Sequence, residues 1–454
     1  MIKQAERQYI PDELERRIRD FWKRSKAYEK TVHLRRKGED YFFLDGPPYT
    51  TGSVHLGTAW NKIIKDLVVR FRRMHGFNVR DQPGYDMHGL PIEVQVERSL
   101  GIMNKKQIEE LGIKKFIDTC RDFALQYQEK MTQQFEELGV WMDWSNPYMT
   151  IENSYIEGAW WTLKKAHEKG LLDQAQRVLQ WCPRCETALA EAEIEYFDET
   201  DPSLYVMFPL LDRENEYILV WTTTPWTLPA NLAAAVHPNL TYAKVLVTRE
   251  AQRQYVWVYE GNVEQIMDVP DVLNYEVVET AIGKELVGLK YSHPLSSNVP
   301  YLGEIRGSWV HAVLASDIVT EEFTGIVHIA PGHGPEDFEV GLEHSLPAFC
   351  PVDERGYFTT EAGDYRTMHV REANRKIIDN LKSSGHLFNE ADITHRYGHC
   401  WRCQTPIIYR TTEQWFLKVT RLKDKMLEEV DKIDWTPEWA GASRQYDWVQ
   451  NARD

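Results

Sequence analysis

Apolar positions change period twice between residues 40 and 80. Tyr41, Phe42, Phe43 and Leu44 form a short aromatic run ended by Asp-Gly-Pro-Pro at 45–48, which predicts a buried strand closing in a turn. From His55 onward, Trp60, Ile63, Ile64, Leu67, Val68 and Phe71 recur at the three- and four-residue spacing of an amphipathic helix, and Gly76 marks its end. Phe77, Asn78 and Val79 resume an extended pattern before Pro-Gly-Tyr-Asp at 83–86. Strand, glycine-bearing loop, helix and strand predict an α/β fold, half of a nucleotide-binding sheet. A second helical stripe, Phe116, Cys120, Phe123 and Tyr127, places Cys120 in a core. From about residue 200 to 390 the texture changes: YVMFPL, YILVWTT, YAKVLV and YVWVYE are β-branched and aromatic, separated by turn residues, and predict a β-rich domain.

Composition narrows the class. A chain of 454 residues should divide into two to four domains. No apolar run of about 18 residues exists, so no membrane span is expected. The N-terminal segment has no signal-peptide core, which favours the cytoplasm. Six cysteines do not make a disulfide framework in so long a chain. The net charge of −16 argues against a protein that coats nucleic acid nonspecifically. It leaves Arg70, Arg72, Arg73 and Arg80 as either a local basic track or a solvated helix face and turn.

The loop between strand and helix carries the first candidate chemistry. The first N–H groups of a helix lack internal partners, and the helix dipole adds positive charge there, so an anion can bind if the backbone is bare. Gly52 and Gly57 remove side chains where a phosphate could approach, and His55 offers a hydrogen-bond donor. Neither GxGxxG nor a Walker sequence is present. Asp86 on its tight turn could hold a cationic amine or bond its own loop.

Two CxxC pairs, Cys182–Cys185 and Cys400–Cys403, offer four thiolates suited to structural, tetrahedral zinc, with metal-free thiols as the alternative. Cys350 follows Ala348-Phe349 and is expected to be buried. Within the β-rich stretch, WTTTPWTLPAN carries Thr222, Thr223, Thr224 and Thr227; alone, they read as strand hydroxyls. GIVHIAPGHGPEDFEVG places His328, His333 and Asp337 beside glycines, where they could bind a metal or cap a helix.

PPYTTGSVHLGT resembles the HIGH-type ATP-binding loop of class I aminoacyl-tRNA synthetases, and PGYDMHGLPIEVQVE is similar to the following segment in the isoleucyl branch, of archaeal and eukaryal-like type. The resemblance covers nearly the whole chain. It implies the first half of a class I Rossmann-type nucleotide-binding domain, with an inserted β-rich editing domain on a zinc ribbon. Residues 1–180 would be N-terminal helices and that first half, 181–199 and 391–410 the zinc-binding stem, 200–390 the editing domain, and 411–454 the return toward the catalytic domain.

By the same resemblance, His55, Gly57 and Thr58 contact ATP with Mg2+, with His55 and Thr58 in the catalytic role. Thr58 stands where many relatives have a second histidine. Gly46, Pro47 and Asp86 bind the amino acid, Asp86 through its ammonium. Thr222, Thr223, Thr224, Thr227 and Asn231 match one half of the editing site, and His328 and Asp337 the other. Asp337 is expected to hold the ammonium of a mischarged residue, and His328 to exclude isoleucine. Phe323 departs from the glycine common at its position. Cys182, Cys185, Cys400 and Cys403 would hold structural zinc. The implied activity is ATP-dependent, AMP-forming ligation of isoleucine to tRNA(Ile) by a monomer, with hydrolytic editing of valine. No KMSKS-like loop or anticodon-binding region is found, so these residues read as the N-terminal portion of a longer enzyme, deficient in activation by themselves. The competing readings are a noncatalytic zinc-dependent tRNA-binding module and a valyl-specific synthetase.

Overall fold

The structure, a computed structural model, describes residue 8 and residues 10–249 and 252–454. They form two compact units, Met1–Leu171 and Leu172–Asp454.

The first unit opens with helices α1 (Pro11–Ser25) and α2 (Ala27–Arg35). Strand β1 (Asp40–Phe42), helix α3 (Leu56–Met74) and strand β2 (Asn78–Arg80) follow in the expected order. β1 and β2 pair in parallel, Asp40 opposite Asn78 and Phe42 opposite Arg80, so α3 is the crossover of a βαβ unit. Next come β3 (Gly84–Tyr85), α4 (Leu90–Leu100), α5 (Lys105–Leu111), α6 (Ile113–Glu137), β4 (Tyr148–Met149, parallel to β3) and α7 (Asn153–Glu168). Tyr85, Met87, Ile92, Phe116, Met131 and Phe135 form its core, with Cys120 and Phe123 half-buried against it.

One expectation fails here. Phe42 and Leu44 are exposed, so the run 41–44 is not a buried strand. The stripe on α3 faces outward: Trp60, Ile63, Ile64, Leu67, Val68 and Phe71 are all exposed, Trp60 at 66%. The face turned inward carries Lys62, Val69 and Arg73. Those cations tolerate burial because carboxylates meet them: Lys62 bonds Asp45, and Arg73 lies 2.7 Å from Asp81. The two-stranded sheet is too narrow to cover the other side.

The four arginines also fail as a surface track. Arg70 bonds Asp66 and the Gly139 carbonyl and lies over Trp141; Arg72 covers Tyr41, and Arg80 covers Phe42. Arg70 and Arg73 are neutralised by Asp66 and Asp81, while Arg80 stays exposed.

In the second unit, β5 (Leu172–Cys182) and β6 (Thr187–Ala188) precede β7 (Ile194–Pro209), β8 (Glu216–Thr222), β9 (Ala233–Val236), β10 (Thr241–Arg249), β11 (Gln252–Tyr259) and β12 (Asn274–Ile282). Strands β13 (Ala312–Ala315), β14 (Ile326–Ile329), β15 (Leu387–Cys400) and β16 (Ile408–Leu417) complete it. All four apolar segments noted from the sequence contribute to strands, in β7, β8, β10 and β11. A six-stranded sheet runs β12-β10-β11-β8-β7-β15, and a three-stranded one runs β13-β9-β14. Leu204, Val206 and Phe208 alternate with Met207 between two cores on opposite faces of the large sheet. Burial on both faces explains why this segment reads as a continuous apolar run. Two long antiparallel ladders, β5 with β16 and β7 with β15, bring residues 182–185 and 400–403 together from opposite ends of the unit.

Candidate functional site

In the first unit, Pro48 and Thr50 tie the loop after β1 to Asp86. Asp86 N–H donates to Pro48 O (2.9 Å), and Thr50 N–H donates to Asp86 O (3.1 Å). Gly46 and Pro47 thereby sit on the loop fastened to the Asp86 backbone. The Asp86 carboxylate accepts a 3.4 Å bond from the Thr150 hydroxyl. Burial raises its pKa, while nearby His88 and the Thr150 hydroxyl oppose the shift. A cavity of about 300 Å³ is lined by Gly46, Pro47, Pro48, His55, Gly57, Thr58, Asn61 and Lys62.

His55 is the N-cap of α3. Its Nδ1 accepts from the Thr58 N–H at 3.3 Å, so the ring proton lies on Nε2, which donates to the Thr58 hydroxyl at 2.9 Å. A Cβ on Gly57 would lie only 3.2 Å from that ring, so the glycine makes room for His55 itself. The cradle is therefore partly filled by its own imidazole, while a Cβ at Gly52 would meet nothing.

Asp45, Lys62 and Lys65 escaped the sequence reading. Asp45 Oδ2 accepts from Lys62 (2.5 Å) and from Gly84 N–H (3.0 Å), its Oδ1 accepts from Lys65 (2.8 Å), and Lys65 also reaches Gly46 O. One buried carboxylate thus joins the loop, α3 and the strand leading to Asp86. The available signal was two lysines three residues apart, with Lys62 and Val69 together on the inward face.

In the second unit, β8 and the turn after it meet β14. Thr227 donates to Thr224 O (2.8 Å), which leaves its oxygen to accept from His328 Nε2–H at 3.0 Å. Thr224 lies 3.4 Å from Thr227 and 3.3 Å from Thr222, so three hydroxyls and one imidazole form a connected chain. His328 Nδ1 is buried without a hydrogen-bond partner, and burial lowers the imidazole pKa to about 4. Thr223 is half-buried beside this chain.

Asp337 lies on the helix Pro335–Glu343, in the loop-helix segment that follows His328. Its Oδ2 accepts from Ala330 N–H at 2.9 Å, and burial raises its pKa to about 7. Asn231 is different: it is fully buried, its Nδ2 donates to Ala233 O, and its Oδ1 accepts from Tyr291. Its amide positions the segment. His293, also missed, supports the same segment by donating from Nε2 to Leu228 O at 3.0 Å while Nδ1 accepts from Leu295 N–H.

Phe323 has φ +49°, in the left-handed region that suits glycine. Its ring stacks on Trp221 with centroids 3.4 Å apart and planes at 6°.

The ligating atoms of Cys182, Cys185, Cys400 and Cys403 all lie within 4.8 Å of one another, and Cys182 Sγ is 3.4 Å from Cys403 Sγ. A tetrahedron with metal–sulfur bonds of about 2.3 Å needs sulfurs about 3.8 Å apart. The cluster fits such an ion.

The family described as tRNA synthetases class I (I, L, M and V) matches residues 17–454. An isoleucine–tRNA ligase of Archaeoglobus fulgidus is 53% identical over 98% of this chain and 43% of its own length. Another, of Pyrococcus furiosus, is 54% identical over 99% of this chain and 43% of its own. The chain thus spans under half the length of these relatives. A solved ternary complex of LeuRS, tRNA and LeuAMS from Agrobacterium radiobacter K84 is 16% identical, with a TM-score of 0.35, covering 89% of this chain and 50% of that one.

Proposed function

Because this chain belongs to the class I tRNA synthetases (I, L, M and V), we propose that it forms the nucleotide-loop and editing portion of an isoleucine–tRNA ligase. Asp86 receives the ammonium of isoleucine beside Gly46 and Pro47. ATP with Mg2+ enters at His55, Gly57 and Thr58. For a phosphate to reach the Thr58 amide, the His55 ring leaves its cap, and the freed imidazole then donates to the α-phosphate. The isoleucine carboxylate displaces pyrophosphate in line, and tRNA(Ile) takes the acyl group from the adenylate. Positioning and charge stabilisation do the chemical work.

Selectivity explains the second site. One missing methylene is worth only about 1–3 kcal/mol, a limit for which isoleucyl enzymes facing valine are the standard illustration. In the editing unit, Asp337 holds the ammonium of a mischarged valyl ester. His328 closes the space a larger side chain would need, and Thr222, Thr223, Thr224 and Thr227 present hydroxyls toward the ester, with Asn231 supporting them. Structural zinc on the four cysteines fixes the base of the insert; four thiolates leave no open coordination position. In the longer protein, further residues would cover the exposed stripe of α3.

The observation that carries this reading is the pair of backbone bonds between Asp86 and the glycine-bearing loop, which joins an amine-binding carboxylate to an anion-binding helix start. Valine release from valyl-tRNA(Ile) by these 454 residues and by Asp337→Ala tests the editing half. Equal rates would favour a tRNA-binding module without catalysis. Isoleucine-dependent pyrophosphate exchange by a protein of the relatives' full length tests the other half.

A further inference from the structure

Five of the six cysteines have an evident place: four gather in the metal cluster, and Cys120 packs against the first core. Cys350 does not. It lies after the helix Pro335–Glu343, on a stretch that is partly exposed and not buried as its neighbours suggested. A Cβ on Gly332 would fall 2.0 Å from Phe349 O and 3.0 Å from Cys350 Cα, so this glycine lets the 332–334 loop lie directly on the backbone at 349–350. His333 comes with it. Its Nδ1–H donates to Tyr409 O at 2.9 Å, and Thr411 N–H donates to Gly332 O at 3.0 Å, fastening the loop to β16.

That bond fixes the tautomer. With the proton on Nδ1, Nε2 carries a lone pair, and it is buried without a hydrogen-bond partner of ordinary geometry in a residue only 5% exposed. Trp226 packs edge-on against the ring at 5.0 Å, leaving it little freedom. The Cys350 thiol, whose Sγ–H otherwise donates a long 3.7 Å bond to Val352 O, is the group that interacts with His333. Burial raises that thiol, but His333, the Thr411 backbone N–H and Arg410 together bring it down to about 7, and Cys350 in turn raises His333.

We propose that Cys350, paired with His333, is a peroxide-reactive thiol that hydrogen peroxide or an alkyl hydroperoxide oxidises to a sulfenic acid. The thiol proton passes to His333 Nε2. The thiolate attacks one peroxide oxygen, the O–O bond breaks, and the departing hydroxide or alkoxide takes that proton back. The net change is thiol plus hydroperoxide to sulfenic acid plus water or alcohol. Restricted access at Cys350 selects a small oxidant over a bulky disulfide. The step requires neither tRNA nor nucleotide.

The test treats the zinc-loaded 454-residue chain with hydrogen peroxide at pH 7, traps sulfenic acid with dimedone, and locates the adduct by peptide mass spectrometry. At pH 7 about half of Cys350 is thiolate, whereas Cys120, pushed up to about 11 by burial, is ionised roughly once in ten thousand molecules. The lower nucleophilicity of the more acidic thiol offsets part of this, so Cys350 should react about a hundred-fold faster. His333→Asn keeps the donor to Tyr409 and deletes Nε2, and should slow labelling about ten-fold. Labelling of Cys120 or the cluster thiols as early as Cys350, or an unchanged rate in His333→Asn, overturns the proposal. If that variant does not fold, the wild-type profile decides: labelling that rises through pH 7 supports the pair, and a rise only above about pH 8.5 refutes it.

Discussion

Lys62 Nζ lies 2.5 Å from Asp45 Oδ2, and both side chains are shut away from water, at 1% and 0% exposure. Burial favours the neutral form of Lys62 and lowers its pKa; Asp45 pulls the other way. Asp45 is further held by Lys65 and by the Gly84 N–H, so it acts as a joint between the loop, α3 and β3.

Removing one partner of this pair should cost more than removing both. Lys62→Met leaves the Asp45 charge with only Lys65 beside it and should destabilise the first unit by about 3 kcal/mol. Asp45→Asn combined with Lys62→Met should recover most of the loss, since the asparagine carbonyl can still accept from the Gly84 N–H. Urea denaturation of the two variants measures this. A double variant no more stable than Lys62→Met would show that the pair does not behave as a coupled buried charge.

Zinc removal should act on the second unit. Under the proposed function the two CxxC pairs hold zinc, and metal binding there would be folding free energy. Elemental analysis should find zinc bound to the chain, and Cys400→Ser should lower both the zinc content and the melting temperature of this unit. A metal-free chain that melts unchanged would remove zinc from the proposed function.

Chain-local features were legible in the sequence, and contacts that depend on distant residues were not. His55, Gly57 and the βαβ order follow from a period change and glycine placement within 40 residues, and the cysteine quartet from two short spacings. The spacing on α3 gives an amphipathic helix but not the direction of its stripe; Lys62 and Arg73 turn inward because Asp45 and Asp81 are there to receive them. Tyr291 and His293 were invisible for a similar reason. Their bonds to Asn231 and Leu228 reach far along the chain, and no local pattern marks them.

Phe323 offers a test in which two effects nearly cancel. A side chain at φ +49° costs about 1–2 kcal/mol, and an aromatic stack is worth about 0.5–1.5 kcal/mol beyond its buried area. Phe323→Gly should therefore change stability by less than about 1 kcal/mol, whereas Phe323→Ala, which keeps the strain and loses the stack, should cost about 1 kcal/mol more than the glycine. Thermal melts of the three proteins compare them. Equal stability of the alanine and glycine variants would mean that backbone strain at 323 is negligible.

Asp337 ties stability and activity to pH in opposite directions. Burial raises its carboxyl to about 7, opposed mainly by the Ala330 N–H bond. A carboxyl raised above its unfolded value binds its proton more readily in the folded state. Its contribution to stability is thus complete below the unfolded pKa near 3.8 and is lost as pH rises through about 7. The stability advantage of Asp337→Asn over wild type should widen by about 2–4 kcal/mol between pH 5 and pH 8. Holding an ammonium needs the ionised carboxylate, so valine release from valyl-tRNA(Ile) should increase as pH passes from 6 to 8 and be abolished in the asparagine variant. A stability gap that stayed constant from pH 5 to 8 would mean that Asp337 is already ionised throughout, and the buried-carboxylate account of the site would fall.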